Sequence, residues 1–204
     1  MFPLRKQSIE FFLDELSSNK LVPGGGSAAS LVAAIGIALG SMVGNLALSK
    51  KRYQSLIPEI ESVIIKSERL KRELQYLIEK DAELCEPLIK AFKISKPERE
   101  VIMDAALEEA CSVPLEIMKK TIEAIALHEH LFNLGIKTAI SDIGVGVSFC
   151  KAALEGASLS IFINTKLMKN DRIKSKLNEE AEMLLQMGIE KANTIFQEVN
   201  SSLK

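Results

Sequence analysis

One long apolar segment limits the folds that this sequence can adopt. Between Leu21 and Ser49 there is no Asp, Glu, Lys, Arg or His, and the segment opens with Pro23 and three consecutive glycines. Ser27 follows as a natural helix N-cap, and the residues after it predict one continuous helix rich in Ala, Leu, Val, Ile and Gly. The helix carries a row of glycines one turn apart: Gly36, Gly40 and Gly44. The row has almost no side chain, so another helix can approach closely along it.

The apolar helix could lie in one of two environments, a membrane or the interior of a soluble protein. Its length passes the test for a membrane span, and repeated small residues are a membrane packing motif. However, Ser30, Ser41 and Asn45 lower its hydropathy, no aromatic residue flanks either end, and nothing else in the chain reads as a span. We therefore expect a helix buried on all sides inside a soluble protein, with no membrane partner. A charged amphipathic segment precedes it, which also disfavours a signal peptide.

Composition narrows the class of protein further. Among 204 residues there are 26 Lys plus Arg and 27 Asp plus Glu, and the net charge of −1 gives no electrostatic case for a nucleic acid partner. An odd number of cysteines without a CxxC motif indicates reduced thiols in a cytoplasm. The only histidines, His128 and His130, point to different helix faces, so we expect no metal site.

The rest of the chain predicts further helices. Ser8 precedes a short helical stripe, Pro87 should bend the next helix, Pro97 is placed to start another, and Pro114 should kink or break it. The predicted helical segments other than the apolar one are 9–16, 55–92, 97–132, 136–161 and 177–199. No convincing alternation with hairpin turns occurs. We therefore predict that residues 1–204 form one all-α domain, a helical bundle around one long buried central helix.

The glycine turn before the central helix is the first candidate site. Gly24, Gly25 and Gly26 leave backbone N–H groups uncovered, and the start of the helix adds a positive dipole end. This arrangement predicts an anion site for a carboxylate or a phosphate. A tight turn that needs positive φ angles before a buried helix explains the glycines equally well.

Five polar residues lie in apolar surroundings elsewhere in the chain. Asp81 occupies a slot of its helix that calls for an apolar residue, so it needs a cation, a hydrogen-bond donor or a ligand, unless it forms a structural salt bridge or the helix rotates. Ser141 and Asp142 either contribute to a site or cap a helix. Asn45 and Asn164 are either ligand contacts or internal hydrogen-bonding residues.

Four ordered segments carry a resemblance to a known family. They read VPGGGSAASLVAAIGIALGSMVGNLALSKKRY, EKDAELCEPLIKAFKISK, EEACSVPLEIM and SDIGVGVSFCKAALEGASLSIFIN. Together, over about 11–166, they resemble the cyclodeaminase family, which is the helical domain of formiminotransferase-cyclodeaminase and its free-standing relatives, including methenyltetrahydrofolate cyclohydrolases. The chain departs from the family pattern at three positions. Ile136 and Thr138 stand where the family usually has asparagines, and Glu79 stands where Asp is common.

The resemblance implies an all-helical homodimer that acts on folates. Such enzymes convert 5-formiminotetrahydrofolate to 5,10-methenyltetrahydrofolate and ammonia, or hydrolyse 5,10-methenyltetrahydrofolate to 10-formyltetrahydrofolate, with no metal or redox cofactor. Carried over by position, the catalytic candidates are Asp81 and Asp142. The substrate-binding candidates are Gly24, Gly25, Gly26, Ser27, Asn45, Ser141 and Asn164.

Two hypotheses about function follow, together with open questions about the site. The chain is either a folate one-carbon enzyme or, as the replaced asparagines allow, a non-catalytic folate-binding or structural helical homodimer. In the enzyme, one aspartate would transfer protons and the other would bind the pterin, and the residues do not assign these roles. They also do not separate cyclodeaminase from cyclohydrolase.

Overall fold

The described residues of the chain form six long or medium helices. The computed structural model describes residues 3–95 and 98–204, apart from the side chains of 99–101, and this part of the chain contains no strand. The helices are α1 (Ile9–Ser17), α2 (Gly25–Leu48), α3 (Ile57–Phe92), α4 (Glu98–Asn133), α5 (Ile140–Thr165) and α6 (Asp171–Ser202), with short 3₁₀ turns at Leu4–Lys6 and Lys51–Leu56. The all-α prediction is confirmed.

Local signals account for some helix boundaries and not for others. Ser8 caps α1 by accepting a hydrogen bond from the Phe11 N–H at 3.0 Å, as its position predicts. The break predicted at Pro114 is wrong, because α4 runs continuously through it, and α3 likewise continues through Pro87. Core packing of residues beside Pro114, such as the fully buried Ile117, stabilises the helix on the C-terminal side of the proline. Lys96 and Pro97, where a turn and a helix start were predicted, lie outside the described residues.

Helix α2 lies between α3 and α5, which both run antiparallel to it, and α4 crosses behind it. The sequence suggests that one helix packs along the row of glycines. In the structure, however, each of the three glycines faces a different helix. An added Cβ at Gly36 would lie 2.8 Å from Cys150 Sγ on α5. At Gly40 it would lie 3.1 Å from a ring carbon of His128 on α4, and at Gly44 2.7 Å from Ile64 on α3.

One face of α2 remains uncovered in the single chain, so this helix is buried on three sides and not on all sides. Ile35, Met42 and Leu46 expose 45%, 37% and 42% of their surface, although all three are large and apolar. The residues of this open face, which also includes partly buried members, are Leu31, Ile35, Ala38, Leu39, Met42 and Leu46. An apolar face of this length on a central helix indicates a surface that another molecule covers.

Two helices pass the length and hydropathy test for a membrane span. They are α2 and α5, so the expectation that nothing besides α2 could span is wrong. About half of each apolar window is buried, 50% in α2 and 44% in α5. Core helices of soluble proteins pass the same test, because burial against protein selects the same residues as burial in lipid.

His128 fills a cavity that glycines leave between three helices. Its side chain is fully buried, Nε2 lies 3.0 Å from the Gly36 carbonyl oxygen, and Nδ1 has no hydrogen-bond partner. An added Cβ at Gly146 would lie 2.6 Å from Nε2, so the ring needs glycine at that position. Burial lowers the pKa of His128 to about 4, and the hydrogen bond to Gly36 opposes this shift only partly.

We therefore expect acid to destabilise the fold through His128. The unfolded chain binds a proton near pH 6.5, whereas the folded chain stays neutral until about pH 4. Stability is thus lost as the pH falls between these values, by about 3 kcal/mol in total if the full shift applies. Urea unfolding at pH 7 and pH 4.5 measures this loss. His128→Gln should reduce the difference between the two pH values, whereas His130→Gln, at an exposed position of the same helix, should not.

Candidate active site

The carboxyl group of Asp81 lies against the first turn of α2. Asp81 projects from α3, is only 7% exposed, and its Oδ2 is 2.9 Å from Ser27 Oγ. An added Cβ at Gly26 would lie 2.6 Å from Asp81 Cγ, so the carboxyl group occupies the space that any other residue would fill. This contact, and not a positive φ angle, requires glycine at position 26.

The first turn of α2 corrects the sequence-based assignment of its N-cap. Helix α2 begins at Gly25 with Gly24 as its N-cap, so Ser27 is not the cap and lies inside the first turn. Gly24 has no side chain to offer, and the Asp81 carboxyl group from α3 lies against this turn instead. A carboxyl group of the protein itself thus lies at the helix terminus where the sequence predicts an anion site, and binding of a substrate anion there stays a prediction.

Burial dominates the electrostatics of Asp81. Desolvation raises the pKa of Asp81 above its usual value, and hydrogen bonds from the Ser27 side chain and backbone partly offset that rise. Cys85, one turn further along α3, is also affected, since burial and the charge of Asp81 raise the pKa of its thiol to about 11. A carboxyl group with a raised pKa takes up a proton more readily than an exposed one, as proton transfer requires.

Asn164 belongs to the same end of the molecule. Ser160, one turn before it on α5, lies 3.8 Å from the position of an added Cβ at Gly25. The amide of Asn164 donates a hydrogen bond to the Ser160 carbonyl at 2.9 Å. The structure therefore brings together the candidates at the N-terminal end of α2, which are Gly24, Gly25, Gly26, Ser27, Asp81 and Asn164.

Asp142 lies near the opposite end of α2. It occupies the first turn of α5, and Gly146, one turn later, already faces Gly36. With a rise of 1.5 Å per residue, Asp81 and Asp142 are roughly 25 Å apart along the helix axis. One chain therefore does not unite the two catalytic candidates. The helix-cap alternative for Ser141 and Asp142 is also wrong, since the N-cap of α5 is Ala139, with φ of 54° and no side-chain hydrogen bond.

Asn45 and Ser141 share the Asp142 end of the molecule, and both are exposed. The amide of Asn45 donates to the Ser41 carbonyl at 2.8 Å, so this donor is used within α2. Among the described residues, Asp142 has no hydrogen bond or ion pair assigned to its side chain. The polar group at this end is thus open to solvent, unlike the group around Asp81.

The three departures from the resembling family have structural partners. Ile136 is buried in the core at 1% exposure. Thr138 accepts a hydrogen bond from the Arg52 guanidinium at 2.7 Å, which ties the turn after α2 to the loop before α5. Glu79 accepts bonds from the Arg5 backbone at 2.6 Å and from its guanidinium at 2.8 Å, and so holds the first 3₁₀ turn against α3.

Sequence reasoning missed one structural contact at each end of α2. The Ile78 backbone carbonyl is 3.1 Å from Ser27 Oγ, a contact that no sequence pattern can reveal. Tyr53 is buried beside Arg52, and its hydroxyl accepts a hydrogen bond from the Lys137 N–H at 2.8 Å. Burial would raise the pKa of Tyr53, but hydrogen bonds from Thr138 and Lys137 together with the Arg52 charge lower it. An aromatic residue directly after a basic cluster was the available signal.

Surface grooves do not identify the site. Grooves of about 590, 530 and 350 Å³ all run along α6, and neither Asp81 nor Asp142 lines any of these three. Among the described residues, no group of three or more His, Cys, Asp or Glu side chains is arranged to hold a metal ion. The buried carboxyl group at the start of α2 is the feature that the chemistry of a site best explains.

Comparison with known proteins gives consistent matches. The Formiminotransferase-cyclodeaminase family profile matches residues 8–183. The chain is 34% identical over 203 residues to a methenyltetrahydrofolate cyclohydrolase of Methylorubrum extorquens, covering 97% of this chain and 98% of that protein. It is 29% identical to mouse formimidoyltransferase-cyclodeaminase over 88% of this chain but only 34% of that protein, so it spans about a third of its length.

A solved structure matches the fold. The crystal structure of formiminotetrahydrofolate cyclodeaminase from Thermotoga maritima superposes with a TM-score of 0.84 at 29% sequence identity. The match covers 97% of this chain and 96% of the other. The similarity therefore extends over the whole arrangement of helices and is not confined to one motif.

Proposed function

The chain belongs to the formiminotransferase-cyclodeaminase family, and from this premise we propose that it is a folate one-carbon enzyme. Its reaction would take place at the carbon that bridges N5 and N10 of tetrahydrofolate. Either 5-formiminotetrahydrofolate is cyclised to 5,10-methenyltetrahydrofolate with release of ammonia, or 5,10-methenyltetrahydrofolate is hydrolysed to 10-formyltetrahydrofolate. The single observation that carries the proposal is the buried Asp81 carboxyl group, placed on a family motif and held by Ser27.

Both reactions consist of proton transfers around one tetrahedral carbon. In cyclisation N10 attacks the formimino carbon, a base removes the N10 proton, and an acid protonates the departing nitrogen. In hydrolysis a base removes a proton from water as the oxygen attacks the methenyl carbon, and a carboxylate favours the cationic substrate. The bond between N5 and that carbon then breaks, N5 takes up a proton, and the hydroxyl of the adduct loses one as the formyl group forms. These steps require no metal or redox cofactor, so we propose that the chain uses none.

Asp81 suits the proton transfers better than Asp142 does. Burial raises its pKa above the usual value, which favours proton uptake, and the Ser27 hydroxyl holds its Oδ2 in place. Asp142 is partly exposed on the first turn of α5 and suits a contact to donors of the substrate, such as the pterin amino group. We propose these roles for the two residues, with the glycine turn, Ser27, Asn45, Ser141 and Asn164 around them.

We further propose a homodimer formed through the open face of α2. The spacing of the six residues is symmetric about the point between Ala38 and Leu39, so an antiparallel copy would pair Leu31 with Leu46, Ile35 with Met42, and Ala38 with Leu39. A two-fold axis at that point makes the face self-complementary, since each leucine at 39 meets the small alanine at 38. All six residues are apolar, as the centre of a stable interface requires.

The antiparallel register also bears on the site. It turns the N-terminal end of one α2 toward the C-terminal end of the other. Asp142 of the second copy would then lie about 12 Å along the axis from Asp81, half the separation within one chain. This shorter separation supports folate sites close to the dimer interface.

We propose a cytoplasmic location, and neither nucleic acid nor membrane as a partner. The three cysteines are free thiols on three different helices, α3, α4 and α5. Burial raises the pKa of Cys111 and of Cys150 to about 12 each, which makes both thiols unreactive.

Purified protein is expected to accelerate at least one of the two folate reactions. The methenyl chromophore forms in the cyclodeaminase reaction and disappears in the hydrolase reaction, so its absorbance distinguishes them in parallel assays with the two substrates. The reason for testing both is that the chemistry at the bridging carbon is shared. An assay without protein is the control, because the methenyl compound also hydrolyses uncatalysed.

Failure to accelerate either reaction would remove the enzyme proposal. Calorimetric titration with tetrahydrofolate then separates the alternatives. Binding without turnover supports a folate-binding module, and no binding supports a structural homodimer.

A further inference from the structure

The hydroxyl group of Ser27 has more acceptors than protons. Ser27 is fully buried, and its Oγ lies 2.9 Å from Asp81 Oδ2 and 3.1 Å from the Ile78 carbonyl oxygen. A serine hydroxyl has one proton to donate and can accept through its lone pairs. It cannot donate to both oxygens at once, so the two contacts describe alternative hydrogen-bonding states.

We propose that the Ser27 hydroxyl is a positioning group that turns between Asp81 and Ile78 as Asp81 loses and gains a proton. When Asp81 is charged, Ser27 donates its proton to Oδ2. When Oδ2 carries a proton, that O–H donates to Ser27 Oγ, and Ser27 donates to the Ile78 carbonyl oxygen. The two states therefore differ by the one proton that Asp81 takes up and by the direction of the Ser27 O–H, and no heavy atom moves.

This arrangement lets a buried carboxyl group change its charge at low energetic cost. An unpaired polar atom in a buried site is unfavourable, and here neither protonation state leaves Oδ2 or the hydroxyl unpaired. The Ile78 carbonyl also accepts the regular backbone bond of α3, so it remains bonded when the hydroxyl turns away. The inference rests on the proposed function, in which Asp81 changes its protonation state during turnover, and it assigns Ser27 to Asp81 and not to the substrate.

Few other charges act on Asp81. Helix α2 contains no titratable residue. On α3, the neutral Cys85 thiol is one turn away, and Glu79 is paired with Arg5 of the first 3₁₀ turn. The neighbouring polar residue of α5, Ser160, does not titrate. The Ser27 hydroxyl is therefore the group whose removal should change the titration of Asp81 most directly.

The test is the titration of the Asp81 side-chain carboxyl carbon by NMR, assigned with the Asp81→Asn variant. Ser27→Ala removes the donor of the charged form and the acceptor of the protonated form. It should raise the midpoint pH of Asp81 by about one unit, because the hydrogen bond to the charged carboxylate is the stronger of the two. The matched control is Ser30→Ala, since Ser30 is equally buried on α2 but donates only to the Leu74 carbonyl, at 2.7 Å. The control variant should leave the midpoint unchanged.

An unchanged Asp81 midpoint in Ser27→Ala overturns the inference. If this variant does not fold, Ser27→Cys replaces it, because a thiol is a weaker donor and should shift the midpoint in the same direction by less. The titration uses no folate, so a failure of the proposed function leaves its outcome unaffected. In an active enzyme, the pH profile of kcat should shift with the midpoint, whereas an effect of Ser27→Ala on KM alone would assign Ser27 to substrate binding.

Discussion

Replacement of Asp81 by asparagine is expected to lower turnover by about 100-fold or more, while the protein keeps its fold. Asparagine has nearly the same shape and can still pair with the Ser27 side chain and backbone, but it neither accepts nor donates the proton that the chemistry requires. Turnover numbers and Michaelis constants for the wild type and the variant measure the effect. Circular dichroism and the melting temperature verify the fold.

Asp142→Asn is the matched comparison, because it makes the same change on a carboxylate near the other end of α2. If Asp142 contacts the pterin and does not transfer the proton, the loss should appear mainly in KM. Parent-like turnover and KM in both variants would show that the active site lies elsewhere. The family assignment would survive that result.

An Asp81→Leu variant is not expected to gain the stability that the sequence alone suggests. From the helical stripe, leucine fits position 81 better than an unpaired carboxylate. In the structure, however, the carboxyl group accepts a hydrogen bond from the Ser27 hydroxyl and packs against Gly26. Leucine would remove this hydrogen bond of the buried Ser27 hydroxyl, so the asparagine variant is the better probe of function.

A charge at the centre of the open face of α2 is expected to dissociate the dimer. Ala38→Glu would bury two like charges beside the two-fold axis, and an uncompensated buried charge is strongly unfavourable. The dimer dissociation constant should rise by about 100-fold or more, since about 3 kcal/mol corresponds to that factor. Light scattering and sedimentation at micromolar concentration should then show the 22.4 kDa monomer. The control is Met183→Glu, at a 62% exposed position of α6.

Paired substitutions test the register of that interface. Ile35 of one copy would face Met42 of the other, so Ile35→Asp and Met42→Lys should each weaken the dimer. The double variant places opposite charges together and should recover part of the affinity. A wild-type protein that is monomeric at micromolar concentration would contradict the dimer, and equal weakening without recovery would contradict the antiparallel register.

The fold was largely predictable because helical periodicity extends over most of the chain. The stripe of α3 that includes Ile60, Leu70 and Leu74 is buried as expected, and its polar exceptions Ser67 and Asp81 are buried with it. The prolines were misleading, since Pro114 removes one hydrogen bond while burial of the whole helix supplies far more. The open face of α2 was also missed, because an apolar helix has the same composition whether its last side is covered by its own chain or by another.

The candidate site was predictable in its residues but not in its arrangement. Asp81 was identifiable because a carboxylate in an apolar stripe is unusual. Its partner at the start of α2 was not identifiable from the sequence. The pairing depends on which residues of α3 lie beside Ser27 when the two helices pack antiparallel, and on the position of the Ile78 carbonyl. The separation of Asp81 from Asp142 has the same origin, since α3 and α5 run parallel to each other and Asp81 lies in the second half of α3 whereas Asp142 lies in the first turn of α5.

The glycine row of α2 has a consequence for evolutionary tolerance. Gly36 meets backbone, because an added Cβ would lie 3.0 Å from the Gly146 carbonyl oxygen, and backbone cannot yield without moving α5. Gly44 instead meets side-chain carbons of Ile64, which can change rotamer. Substitution to alanine or serine should therefore be accepted more often in homologous chains at position 44 than at position 36, although the two glycines look equivalent in the sequence.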